Sequence, residues 1–309
     1  MKKIFATIAA IVLAAGLSFA QDLASATELY NNGAAALANG DKAGALEAFN
    51  QALTAATALG EEGKEVADNC KNAIPKVTLS LAKDAFKAAD YDAAIAKVKE
   101  AAELAGKYAE SETAEDAATL LPQFLTQKGN SLIKENPAAA AAVYKEALAL
   151  DPDNGSTALR LGQALNASGD FEGAVAALEQ AAANGQEANA KKQLSTIHLK
   201  KASAALKEKK FTNAIDLALK ANEYSANPQA LQVAGTAAQL AGKNNDAIKY
   251  FTEYLEAAPT AKNAGQIAYT VGALYQGAKN IEKAKEYYQK ASTDPKYGAE
   301  AKKLLDTLK

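Results

Sequence analysis

The segment ALRLGQALNASGDFEGAVAALEQA, residues 158–181, decides the fold. Leu161, Gly162 and Leu165 stand at helical spacing before Ser168-Gly169-Asp170, and Phe171, Ala174, Leu178 and Ala181 stand at helical spacing after it. Gly is favoured where a helix ends in a left-handed residue. Asp170 stands where an N-cap would satisfy the first turn of a second helix. The segment reads as two short helices folded back on each other. Its small residues permit close approach, and Leu178 fills the gap beside them.

The same spacing recurs in both directions. Ala45-Phe49-Ala52, Ala94-Val98-Ala101, Ala140-Tyr144-Ala147 and Ala284-Tyr288-Ala291 repeat the second-helix triad, and Ala214-Ala218-Ala221 and Ala247-Phe251-Tyr254 are weaker copies. About twelve residues before each first Ala lies another small residue: Gly33, Ala82, Gly129, Gly162, Ala202, Gly235 or Gly272. Asn39-Gly40-Asp41 and Ala241-Gly242-Lys243 supply further turns, and Asp151-Pro152 and Asp294-Pro295 close two units, since Pro cannot continue a helix.

These residues resemble the tetratricopeptide repeat, whose period is ~34 residues with small residues at its eighth, twentieth and twenty-seventh positions. Ala140 and Ala174 are 34 residues apart, and Ala214 and Ala247 are 33 apart. The resemblance implies an all-α, right-handed superhelical solenoid of about seven helix pairs over residues 22–296. An amphipathic segment, 297–309, would cap the last open face with Ala299, Leu304, Leu305 and Leu308. The family's Trp is replaced in each unit, by Leu29, Thr78, Leu125, Ala158, His198, Leu231 and Ala268. The intervals Ala45–Ala94 and Ala94–Ala140 are long, at 49 and 46 residues, with the surplus near 59–74 and 106–121. Lengthened helices are expected there, with Pro75 and Pro122 marking a kink or a helix start.

Composition agrees with a helical, packed chain. The 309 residues are 49% hydrophobic and 23% charged, without Trp, which disfavours global disorder. A net charge of −2 lacks the basic balance of nucleic-acid binding. Residues 1–20 read as a signal peptide: Lys2 and Lys3, an uncharged run from Ile4 to Leu17, then Ser18-Phe19-Ala20 as a cleavage site. The apolar run is shorter than the ~20 residues of a spanning helix, which disfavours an uncleaved anchor. Gln21 and Asp22 stand where a lipoprotein would need Cys. The expected location is the periplasm of a bacterial envelope, with no stable membrane insertion after cleavage.

No constellation for catalysis is legible. His198 is the only histidine and Cys70 the only cysteine. No Gly-x-Ser-x-Gly turn or phosphate-binding Gly loop occurs, and neither metal nor cofactor is expected. Val66, Cys70, Ile74, Val77 and Leu81 form one helical stripe, so Cys70 reads as a buried apolar residue rather than a reactive thiol. His198 reads as a packing residue, and the tyrosines 250, 254, 269, 275, 287 and 288 as mostly core.

In the tetratricopeptide family the first helix of each pair lines a concave groove through six positions per unit. Carried onto this chain, those positions include Lys76, Lys83, Lys87, Asn130, Lys134, Arg160, Lys200, Lys207 and Tyr269, and no Asp or Glu. About five acids would be expected there from the average content. The last two units carry amides and hydroxyls instead, among them Gln229, Gln232, Thr236, Gln239, Gln266 and Gln276. An extended or acidic peptide segment of a partner protein is the expected ligand. The family's clamp for chaperone C-termini needs Lys at its fifth position. This chain has Tyr30, Leu79, Thr126, Leu159, Leu199, Gln232 and Tyr269 there, so that function is not expected. The roles left open are a scaffold or adaptor, a structural or accessory subunit of an envelope assembly, and, disfavoured, an enzyme built on the repeats.

Overall fold

A computed structural model describes residues 22–308. The expected signal peptide lies outside the described residues. Helices pair in chain order: α1 (22–38) with α2 (Lys42–Ala58), α3 (Lys64–Lys87) with α4 (Tyr91–Tyr108), α5 (Ser111–Leu132) with α6 (Pro137–Leu150). Then come α7 (Gly155–Ser168) with α8 (Phe171–Ala181), α9 (Glu187–Lys207) with α10 (Phe211–Tyr224), α11 (Pro228–Leu240) with α12 (Asn244–Ala257), and α13 (Ala264–Gly277) with α14 (Ile281–Ala291). A last helix, α15 (Gly298–Thr307), follows. Seven helix pairs and a closing helix, without a strand among the described residues, match the expected architecture. The chain divides into two compact units, Met1–Arg160 and Leu161–Lys309.

Six of the seven turns inside the pairs share one construction, the α5–α6 turn with its right-handed Ile133 being the exception. Gly40, Gly169 and Gly242 take the left-handed conformation, with φ of 84°, 90° and 73°. Ala89, Lys209 and Lys279 take it too, at φ 60°, although the sequence offers no glycine at those turns. In each case the next residue donates its N–H back across the last helical turn: Asp41 to Ala36, Asp90 to Ala85, Asp170 to Leu165, Lys210 to Ala205, Lys243 to Ala238 and Asn280 to Tyr275. Asp41, Asp90 and Asp170 then cap the following helix, accepting from Gly44, Ala93 and Gly173 at 2.9–3.1 Å.

Within the first unit, Ala45, Phe49 and Ala52 are buried with Cys70, Ile74 and Val77, so the stripe through Cys70 faces the core as expected. A second cluster gathers Leu79, Ala82, Ala94, Val98, Ala101, Phe124 and Leu125. Phe86 stacks on Phe124 beside it, centroids 4.3 Å apart. Both surplus segments are mainly helical. The first lengthens α3 to 24 residues and the second lengthens α4 and α5. Pro75 and Pro122 lie inside α3 and α5, so neither starts a helix.

Within the second unit, one core runs from Ala202 to Ala301 and takes in Phe251, Tyr254, Tyr287 and Tyr288. Tyr250, Tyr254, Tyr287 and Tyr288 are buried and Tyr269 and Tyr275 half-buried, as a core reading requires. Leu304, Leu305 and Leu308 pack on this core as expected, but Ala299 is exposed and Ala301, two residues on, is buried in its stead. Between α8 and α9 the chain makes a π-helical turn, Ala182–Gln186, broken at Asn184 and Gly185.

Five of the seven repeats are closed by the same contact. The bulky residue of the second-helix triad lies against a glycine of the first helix: Phe49 on Gly33, Tyr144 on Gly129, Leu178 on Gly162, Phe251 on Gly235 and Tyr288 on Gly272. A Cβ at those glycines would come within 2.5–2.8 Å of the facing side chain. Where the middle residue is smaller, as at Val98 and Ala218, the first helix has Ala82 and Ala202 instead. Interiors packed to crystal density demand this exchange of volume.

Candidate peptide-binding face

The expected binding residues fall on first helices, with one exception. Lys134 lies in the turn after α5, beyond its last residue Leu132. The helix ends there because Asn136 caps α6, accepting from Ala139 at 3.0 Å.

In the first unit, the acid-free character expected of this face is not what the fold builds. Lys76 Nζ lies 3.4 Å from Glu110 and 3.3 Å from Glu112, and Lys83 Nζ 3.2 Å from Asp116. Lys87 is 3.9 Å from Asp84, which also pairs with Lys42. Glu112 and Asp116 sit in the part of α5 that exceeds the repeat period, and Glu110 caps it, so the six repeat positions could not register them. Glu110 accepts from Thr113 N at 2.8 Å. Burial pushes its carboxyl up, but the hydrogen bonds from Thr113 and Lys76 outweigh this and hold it below its ordinary value. The Glu112 carboxylate, ahead of the opposing burial, raises Lys76 above the usual ammonium value.

Asn130 also serves the fold, accepting from Tyr144 Oη at 2.8 Å. Arg160 is exposed and forms no ion pair among the described residues. In the second unit, Lys200 and Lys207 are likewise exposed on α9 without ion pairs among the described residues. Tyr269 is half-buried between Tyr288 and Tyr297, ring centroids 5.6 and 5.3 Å away.

His198 is 3% exposed, and its Nδ1 lies 2.8 Å from the Leu194 carbonyl. Its ring meets Phe171 and Tyr224 at 5.2 Å each, so it packs where the family has an aromatic. Burial lowers its pKa and favours the neutral ring. Among the described residues no three His, Cys, Asp or Glu side chains are grouped to hold a metal ion, and no helix is long and apolar enough to cross a membrane.

Two segments of the chain, 131–195 and 265–293, match tetratricopeptide repeat family patterns. The segments include the helix pairs whose glycine seats hold Leu178 and Tyr288, α7 with α8 and α13 with α14. Over these two segments the chain carries tetratricopeptide repeats. Among solved structures, this repeat protein is similar to MamA at 21% identity and TM-score 0.34, over 56% of this chain and 96% of that one. It is similar to PilF of Pseudomonas aeruginosa at 16% identity and TM-score 0.33, over 63% of this chain and 84% of that one. A third is YrrB, described as a TPR protein with an unusual peptide-binding site, at 22% identity and TM-score 0.34, over 58% and 91%. Likenesses this distant say nothing of what the repeat protein binds. No curated protein matches the sequence.

Proposed function

We propose that this chain is a non-catalytic scaffold of the bacterial envelope that docks an extended, acidic peptide segment of a partner protein on its first-helix faces. The observation that carries the reading is that each unit exposes first-helix cations without an ion pair among the described residues, Arg160 on α7 in the first and Lys200 and Lys207 on α9 in the second. Cations held on short-period helices and left without a partner favour a ligand that brings carboxylates. Lys76 and Lys83 are paired with the chain's own acids, so a peptide reaching α3 must displace Glu112 and Asp116. Each exposed pair contributes only ~0.2–1 kcal/mol, so within either unit a cation must act together with apolar neighbours, such as Leu159 beside Arg160 in the first.

The test is capture of partners from envelope extracts, followed by titration of the captured segment against wild type and an Arg160→Glu/Lys200→Glu/Lys207→Glu variant. At least a tenfold loss, with affinity that falls from low to high salt, supports the reading. Unchanged affinity with the helical spectrum intact moves the site elsewhere. The envelope location rests on residues 1–20, and an N-terminal sequence of the exported protein beginning at Gln21 is the expected result.

A further inference from the structure

A cleft of about 470 Å³ opens in the second unit between α8, α9 and α10. Its lining includes none of Arg160, Lys200 and Lys207, and it has the opposite charge. Glu172, Val175, Ala176 and Glu179 follow i, i+3, i+4, i+7 spacing and lie along one side of α8. Asn213, Asp216, Leu217 and Lys220 repeat that spacing on α10 and line the same cleft. The two stripes carry three carboxylates against one ammonium. Glu179 is held in place by Tyr224 Oη, which donates to it at 2.6 Å. Phe171 and His198 complete the lining.

His198 gives the cleft a specific polar feature. The Leu194 carbonyl can only accept, so Nδ1 is the donor in their 2.8 Å bond. In the neutral ring Nε2 is then left as an acceptor. No described residue donates to it, and among the described residues no side-chain nitrogen or oxygen sealed from solvent lacks a partner. Nε2 is therefore not sealed from solvent, and the ring, itself 3% exposed, lines the cleft.

We infer that this cleft is a second recognition site, which takes an arginine side chain presented by an extended peptide segment of a partner protein. Three features suit that occupant. Val175, Ala176 and Leu217 cover an aliphatic stem. Glu172 and Asp216, both exposed, accept from a guanidinium, whose planar fork of five donors also suits the Nε2 acceptor. A stripe from i to i+7 runs about 10 Å along a helix, the length of about three extended residues, which fits a short peptide better than an isolated ion. The inference is independent of the acidic-peptide reading of the first-helix faces, since it uses other residues and the opposite charge.

His198 is the only histidine, so imidazole nitrogen resonances of the full chain report on this cleft alone. The probe is a capped Ala-Leu-Arg-Leu-Ala peptide, set against the same peptide with Glu in place of Arg. The expected result is a saturable shift of Nε2 with the Arg peptide and none with the Glu peptide. The Glu172→Gln/Asp216→Asn variant, which changes two exposed side chains, should raise Kd at least tenfold with the thermal melt unchanged. An unmoved Nε2 at millimolar Arg peptide, equal shifts with both peptides, or wild-type affinity in the double variant would each overturn the assignment.

Discussion

A Cβ placed on Gly235 of α11 would lie 2.5 Å from Cδ1 of Phe251 on α12. Two effects oppose each other at this residue. Ala is the better helix former by ~0.8–1 kcal/mol. Overpacking a fully buried contact costs ~1–3 kcal/mol, and Phe251 is 1% exposed with little room to move. Gly235→Ala should therefore destabilise by about 1–2 kcal/mol in urea unfolding. Pairing it with Phe251→Leu should recover part of the loss, because the volume removed lies on the other side of the same contact.

The left-handed turns at Ala89, Lys209 and Lys279 give the reverse expectation. A Cβ in that conformation costs roughly 1–2 kcal/mol, offset by the ~0.4–1 kcal/mol that Gly loses through a freer unfolded chain. Lys209→Gly, on an exposed turn with φ 60°, should stabilise by up to about 1 kcal/mol, read as a higher Tm. A Tm unchanged or lower would contradict the turn geometry.

Burial pushes the Cys70 thiol up to about 11. The unfolded thiol titrates near ~8.5, so above that pH the unfolded chain releases a proton that the folded chain keeps. The contribution of Cys70 to stability is full below that value and falls as pH rises toward 11. Wild type should lose stability over this window more than Cys70→Ala does. A thiol reagent should label native protein far more slowly than urea-unfolded protein.

Asp116→Asn removes the carboxylate 3.2 Å from Lys83. Both side chains are about half exposed, so fold stability should change little. If acidic peptides reach α3, the freed Lys83 should strengthen their binding severalfold at low salt, and the gain should shrink at high salt. Calorimetric titration of the captured segment at two ionic strengths checks this.

The sequence by itself determined the repeat, because its signals are local. The triads such as Ala140-Tyr144-Ala147 and their small partners such as Gly129 follow from the 3.6-residue period of a helix and the volume two close helices can share. The turns at Gly40, Gly169 and Gly242 were legible because Gly announces a left-handed residue. Those at Ala89, Lys209 and Lys279 were not, since backbone hydrogen bonding and packing impose that conformation on residues that do not favour it. The tertiary structure alone decided which charges meet. Lys83 and Asp116 are 33 residues apart, and their contact depends on how far the lengthened α5 extends beside α3. The cleft of α8, α9 and α10 depends in the same way on the register of three helices around His198, which no period along a single helix encodes.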